Sequence, residues 1–472
     1  MADLTAEQIQ AMLDSFYPYK NRFAMYRAIP ERGLDRDEVL AEIQQLAKEE
    51  DALGDSGKVS GSLYLGDHEQ YHFLTQVYEH FAHANVLQRD MYPSSTKFEG
   101  EIVAMTARML GGDAKTVGVL TSGGTESLMN PMLVYRERGL AEKGITEPEI
   151  IIPNSAHVAI DKACHYFGIK LLRAPLRDDF LVDVDWVRDH ITPNTVALVG
   201  SAGSYPYGLI DPIGELGELA LEHGIGLHVD GCLGGFLLPW IERSGVELTP
   251  FDFRVPGVTS MSADTHKYGY SLKGTSVLLY RDADLRRYQY FTFPDWPGGL
   301  YISPGMSGSR SGGLIAAAWA AMVTTGEQGY LQAATEIHAT AQRVRAAVEA
   351  LPELRVYGDD PTFLVAFGAV DPGALDIFLV NDHLADRGWR MNPDQLPAGL
   401  HFCITRPNTR PGLAEEFARD LADGVAYAKE HRGEPARSGA LYGMAGSAAG
   451  NAGINFLLSG ALDAMYAVPA EG

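Results

Sequence analysis

The chain has 472 residues, 46% of them hydrophobic and 21% charged, so it can bury one large core or two and does not have the composition of a disordered protein. Its 38 basic and 61 acidic residues leave a net charge of −23, which argues against general attraction to nucleic acid or anionic lipid and requires any phosphate to be met locally. The three cysteines, Cys164, Cys232 and Cys403, are widely spaced in apolar or helical stretches and read as reduced core thiols.

The opening "MADLTAEQIQ" is acidic and lacks a basic region followed by an apolar one, so no secretion signal is read and the cytoplasm is the expected location. "TAEQ" and "DRDE" resemble capping boxes ahead of the helices "IQAMLDSF" and "VLAEIQQLAKEE". The glycine-punctuated turn "GDSGKVSGSLYLG" follows. From about residue 100 strands and helices alternate: helix "EGEIVAMTARML", strand "TVGVL", turn "TSGGTES", helix "LMNPMLVYRERG", strand "EIIIP", helix "HVAIDKACHYFG", strand "KLLRAPL". The segments "TVALVGSAG", "IGELGELALEHG", "IGLHVD", "GVTSM" and "TSVLLYRD" continue the pattern. This rhythm predicts a mainly parallel, mixed sheet covered on both faces, an α/β fold.

The longest apolar run, residues 314–323, falls well short of the roughly 20 residues of a membrane span and reads as part of a buried helix reaching about residue 349. A smaller α/β unit follows, with strands "LRVYG", "TFLVAFGAV" and "GLHFCIT" and helices "ALDIFLVNDHLADRG" and "LAEEFARDLADGVAYAKEH". No fixed-period repeat interrupts the chain. The expected division is an N-terminal helical segment (1–58), a large domain (59–325), a small C-terminal α/β domain (326–435) and a Gly/Ala-rich tail ending in a helix (436–472), the tail able to fold over a site.

In open parallel sheets ligands sit beyond the carboxyl ends of the strands, and several unusual residues fall there. "TSGGTES" joins a strand to a helix, so its N–H groups and the helix N-terminus form a site for a phosphate, or simply a tight turn capped by Ser122 or Thr125. It is neither a Walker loop nor a dinucleotide fingerprint. Asp230 ends "IGLHVD", where a carboxylate needs a cationic or hydrogen-bonding partner unless it only caps a turn. His157 follows "EIIIPN", and Lys267 lies in "SADTHKYGYSLKG"; each alone is as readily a packed imidazole or a solvated lysine. Together they are the parts that hold a phosphorylated pyridine aldehyde: an amine to form the imine, a carboxylate to keep the ring nitrogen protonated, an imidazole to stack, and a helix end for the phosphate.

The motifs "TSGGTES", "HVAIDKACHYFGIK", "PYGLIDPI", "LHVDGCLGGF", "FDFRVPGVTSMSADTHKYGYSLKG", "GSRSGG" and "LHFCIT", in this order from about residue 59 onward, resemble the group II pyridoxal-phosphate-dependent decarboxylases, and within them the branch that cleaves phosphorylated long-chain amino alcohols. The resemblance implies an aspartate-aminotransferase-like (fold type I) subunit working as a homodimer, with pyridoxal 5'-phosphate at the subunit interface and no metal. It implies Lys267 as the Schiff-base lysine, Asp230 on the pyridine nitrogen, His157 stacked on the ring, and Gly124, Thr125 and His266 on the cofactor phosphate. Ser309 and Arg310 would lie on a loop reaching the neighbouring subunit's site. Tyr205 and Tyr442 match tyrosines near the family's reaction centre and would assist proton transfer. Lys273 would meet the substrate's own phosphate, with Tyr64 expected from the partner subunit.

Where the family carries "NPLHPD", this chain reads "NVLQRD", placing Gln88 at a phosphate-binding histidine's position with Arg89 beside it. A neutral amide adds no charge, and charge-assisted bonds are roughly twice as strong, so Arg89 is the candidate to compensate. The implied activity is carbon-carbon cleavage of a substrate such as sphingosine-1-phosphate to a fatty aldehyde and phosphoethanolamine. Amino-acid decarboxylation on the same scaffold is the alternative. The membrane segment that precedes the eukaryotic members is not read, implying a soluble, bacterial-type enzyme.

Overall fold

The computed structural model describes residues 18–19, 22–439 and 448–466. The helix read at "IQAMLDSF" and the candidate Tyr442 lie outside them. "DRDE" does open the helix Arg36–Asp55, with the Asp35 carboxylate accepting from the N–H groups of Asp37 and Glu38.

Seven strands form the main sheet: β1 (Val117–Thr121), β2 (Glu149–Pro153), β3 (Lys170–Ala174), β4 (Thr195–Ser201), β5 (Gly226–Asp230), β6 (Ser260–Ala263) and β7 (Ser276–Tyr280), in the order β1-β7-β6-β5-β4-β2-β3. Every residue of β2, β4 and β5 is buried, which is why these strands read as continuous apolar runs with no alternation. Intervening helices such as Ala159–Phe167 end on a left-handed glycine, here Gly168 at φ 65°, which satisfies the last carbonyls and turns the chain into the next strand.

All pairings are parallel except those of β7, which runs antiparallel between β1 and β6. The segment from β6 to β7 contains no helix to carry a crossover, so the chain doubles back along its neighbour. The carboxyl ends of β1, β2, β4, β5 and β6 therefore open on one edge.

An exposed two-stranded hairpin, β8 (Phe291–Phe293) with β9 (Tyr301–Ser303), follows. The alanine-rich run lies in the helix Gly312–Glu349, whose backbone leaves helical geometry at Gly326 (φ 60°, ψ 173°). β10 (Leu354–Val356), β11 (Leu364–Ala369), β12 (Asn392–Gln395) and β13 (Ala398–Cys403) make an antiparallel sheet ordered β10-β11-β13-β12. Residues 59–64 run beside β13, held by Ser60, whose hydroxyl donates to the His401 carbonyl (3.0 Å) and accepts from Cys403 N–H (2.9 Å). All three cysteines are buried and free. Among the described residues no helix is long and apolar enough to cross a membrane.

Candidate active site

The turn after β1 places Gly123 at φ 148° and opens the helix Gly124–Lys143. A Cβ on Gly124 would lie 2.8 Å from Asp264 Oδ2 and 3.2 Å from Cys232 Sγ, so only glycine lets the backbone approach so closely. Thr125 is exposed on the first turn of that helix. Glu126, buried, accepts from Ser122 N–H and Oγ (both 2.7 Å) and from Met306 N–H (3.0 Å), which ties residues 305–307 to the glycine turn.

Lys267 follows β6. Its Nζ lies 3.0 Å from Oδ2 of Asp264, a carboxylate that is only 1% exposed. Burial alone would drive the lysine pKa down, but Asp264 outweighs it and holds the ammonium above its ordinary range. Burial likewise opposes ionisation of Asp264, and Lys267 and His266 reverse the sign, keeping its carboxyl below the usual value. His266 donates from Nδ1 to the Thr275 carbonyl (2.6 Å), turns Nε2 toward Asp264 (3.7 Å), and is pushed down chiefly by burial.

Asp230, at the end of β5, is buried. Both hydrogen bonds it accepts, from Cys232 N–H (3.0 Å) and Ser262 Oγ (3.4 Å), fall on Oδ1. His157, beyond β2, accepts the Ala159 N–H on Nδ1 (3.1 Å), so its proton sits on Nε2. Its ring meets Tyr205, beyond β4, edge to face at 6.1 Å.

Lys273 shares a cleft of about 220 Å³ with Lys267, His266, Tyr64, Leu65 and Tyr71. Its Nζ donates to the carbonyls of Ser62 (3.0 Å) and His266 (3.3 Å) and lies 4.7 Å from the Tyr64 ring centre. Desolvation of the ammonium, with Lys267 close by, pushes Lys273 down to about 8, although the residue as a whole is exposed. Tyr64 is buried, and burial raises its phenol.

Two expectations change here. Tyr64 reaches Lys273 within its own chain, because Ser60 fastens the strap 59–64 to β13 and delivers the ring from the same subunit. Arg89 is not a free cation beside Gln88: it bonds Glu99 Oε2 (2.5 Å) and Thr96 Oγ1 (3.1 Å), because the buried Glu99 carboxylate demands counter-charge. Arg310 also turns inward to Glu99 (2.8 Å) and to the Leu120 carbonyl (3.0 Å).

Gln88 is exposed on the loop that docks on residues 309–312, where Asn85 Nδ2 donates to Ser309 Oγ (3.0 Å) and Val86 N–H to the Arg310 carbonyl (3.1 Å). Among the described residues no hydrogen bond or ion pair joins this unit to Lys267 or Lys273. Thus one chain gathers Lys267, His266, Lys273 and Tyr64 in one cleft and Asp230, His157, Tyr205 and Gly124 on the same sheet edge, while Gln88 and Ser309 form a second group. Asp264 and Glu126 were not singled out in the sequence. The only sign of Asp264 was its place three residues before Lys267.

A sheet with its parallel strand ends converging on a buried lysine, a strand-end aspartate and a glycine-opened helix defines a fold type I pyridoxal-phosphate subunit. Residues 27–370 match the pyridoxal-dependent decarboxylase conserved domain. The sphingosine-1-phosphate lyase of Arabidopsis thaliana is 44% identical over 448 residues, covering 93% of this chain and 81% of its own length. The structure of the sphingosine-1-phosphate lyase of Burkholderia pseudomallei is 48% identical, superposes with a TM-score of 0.89, and covers 96% of this chain and 100% of its own. Glutamate decarboxylase of Lactobacillus brevis, at 20% identity and a TM-score of 0.74 over 88% of this chain and 98% of its own, shares the fold. The chain belongs to the pyridoxal-dependent decarboxylase family, in its sphingosine-1-phosphate lyase branch.

Proposed function

We propose that this chain is an aldehyde-lyase that cleaves a phosphorylated long-chain amino alcohol, such as sphingosine-1-phosphate, to a fatty aldehyde and phosphoethanolamine, working as a cytoplasmic homodimer. The observation that carries the reading is the second lysine: Lys273 shares one cleft with Lys267 and lies over Tyr64, which suits a substrate bearing its own phosphate next to the amine that reacts.

The residues fit pyridoxal 5'-phosphate. A Cβ would fill the close approach at Gly124, and the hydrogen bonds to Asp230 leave Oδ2 for a ring N–H. When bound, the cofactor supplies an aldehyde that links to an amine and a ring that withdraws electrons from a bond next to that amine. Lys267 would be its covalent anchor, Asp230 would keep its ring nitrogen protonated, and His157 would pack on the ring. Gly124, Thr125, His266 and Ser309 would hold its phosphate. Lys273, Tyr64 and Gln88 would hold the substrate phosphate, while Tyr205 and Tyr442 would receive and return the substrate hydroxyl proton. In this reading residues 59–325 carry the cofactor and 326–435 form the small C-terminal α/β domain.

The exposed apolar side chains Trp296, Leu300 and Ile302 on the β8–β9 hairpin support a face that a second copy covers, and the second group around Gln88 and Ser309 suits delivery across that face. The test incubates purified protein and pyridoxal phosphate with sphingosine-1-phosphate and assays long-chain aldehyde. Aldehyde is expected, and Lys267→Ala abolishes it. Carbon dioxide from an amino acid with no aldehyde from the phosphorylated amino alcohol would replace this reading with the decarboxylase one.

A further inference from the structure

β12 and β13 pair Asn392 with His401, and behind Tyr205 these strands build a polar unit with no part in the reading above. The His401 imidazole is 1% exposed, and its Nδ1 lies 3.1 Å from Oδ1 and 3.3 Å from Oδ2 of Asp394, itself buried. Its Nε2 lies 3.1 Å from Asn392 Nδ2, which also lies 3.0 Å from Ser60 Oγ. The Ser60 hydroxyl proton is committed to the His401 carbonyl, so toward Asn392 this oxygen accepts, and the amide presents its NH₂. The same NH₂ faces Nε2, which therefore accepts and leaves the ring proton on Nδ1, directed at Asp394.

The ring so fixed packs against Tyr205 edge to face, with centroids 5.1 Å apart at 88°. Tyr205 meets His157 in the same manner on another side, and both contacts suit the aromatic quadrupole. Tyr205 is half exposed at the mouth of the site. A buried histidine-carboxylate pair is costly to desolvate, and an apolar pair of similar volume would fill the space at least as well. The pair instead stands where a ring needs one orientation. Through its carbonyl, the same residue also holds Ser60 and hence the strap that delivers Tyr64.

We propose that His401, oriented by Asp394, is the positioning residue for Tyr205: it fixes the phenol's approach to the substrate hydroxyl without touching substrate or cofactor. This rests on the reading of Tyr205 as a proton-transfer group. Misplacing a reacting group by about 1 Å costs up to roughly 100-fold in rate, so His401→Gln is expected to lower kcat roughly 10- to 100-fold, with KM and the affinity for pyridoxal phosphate within about threefold of the parent.

Asp394→Asn, which keeps shape and one acceptor, shifts kcat in the same direction and serves if His401→Gln does not fold. The double variant His401→Gln with Tyr205→Phe is expected to be no slower than Tyr205→Phe alone, since residues acting as one unit are not additive. A readout independent of turnover is the ¹³Cε1–H resonance of His401 in histidine-labelled protein, assigned by its loss in His401→Gln, which moves on Tyr205→Leu. An unchanged kcat in His401→Gln beside a damaged Tyr205→Phe, multiplicative losses in the double variant, or a resonance indifferent to Tyr205→Leu overturns the inference alone. A harmless Tyr205→Phe overturns both the role of Tyr205 and the inference built on it.

Discussion

Replacing Glu99 by glutamine tests the electrostatics that fasten the Ser309 loop. The carboxylate is 7% exposed and accepts from Arg310 (2.8 and 3.2 Å), Arg89 (2.5 Å) and Leu120 N–H (3.1 Å). Glu99→Gln keeps the volume and one acceptor but removes the charge, leaving Arg310, whose side chain is 13% exposed, without a counter-ion. Breaking a buried pair costs about 3–5 kcal/mol. Arg89, at 40% side-chain exposure, can turn to water, so the low end, about 3 kcal/mol, is the expectation. In a chain of this size that is a fall of roughly 3–6 °C in the unfolding midpoint.

Arg89→Leu is the control: it removes the outer partner and leaves the Glu99–Arg310 pair intact, with an expected cost of about 1 kcal/mol or less. Differential scanning calorimetry of the three proteins at one pH and salt concentration compares them. Burial opposes ionisation of Glu99, but Arg310 and Arg89 outweigh it and hold the carboxyl below its usual pKa, so its stabilisation is present above the unfolded carboxyl pKa and fades as pH falls through the lower folded value. The gap between parent and Glu99→Gln should therefore narrow in acid. A Glu99→Gln protein as stable as Arg89→Leu at pH 7 would refute the buried-pair reasoning.

Substrate binding should weaken with rising pH. The Lys273 ammonium, pushed down to about 8, is present below that value and lost as pH rises through it, so KM for a phosphorylated substrate is expected to climb above about pH 8 while that for its unphosphorylated analogue stays flat. Lys273→Met should abolish the difference, and parallel pH profiles would remove Lys273 from phosphate recognition. Gly124→Ala places a methyl 2.8 Å from Asp264 Oδ2, an overpacking of about 1–3 kcal/mol. Titration with pyridoxal phosphate, followed by absorbance, should show at least a tenfold weaker affinity, and unchanged affinity would show that the turn is not the cofactor's seat.

The α/β rhythm and the polar residues that end apolar strands were legible because strand burial writes itself as uninterrupted runs such as "EIIIP" and "TVALVGS". The position of Asp230 at such an end could be read from the chain alone. The reversed β7 carried no such mark, because a strand buried on both faces looks the same in either direction. Asp264 stayed hidden as one polar residue in a polar motif, and its weight comes from burial against Gly124, which periodicity does not encode. The pairing of Arg89 with Glu99 joins a loop to a helix face, and Tyr64's delivery from its own chain depends on Ser60 meeting β13. Both are tertiary facts that spacing along the sequence leaves open.

The strap that carries Tyr64 has a further consequence for how the molecule is made. Ser60 is fastened to a carbonyl 341 residues downstream, and Asn408 donates to the carbonyls of Gly57 and Val59 across 351 and 349 residues. Synthesis runs from the amino end, so the ribosome must add about 350 further residues before this segment finds its moorings. A product terminated before residue 401 would retain Lys267 and Lys273 yet have an unfinished cleft, and in a newly made chain the segment from Gly57 to Ser60 must wait until His401, Cys403 and Asn408 emerge.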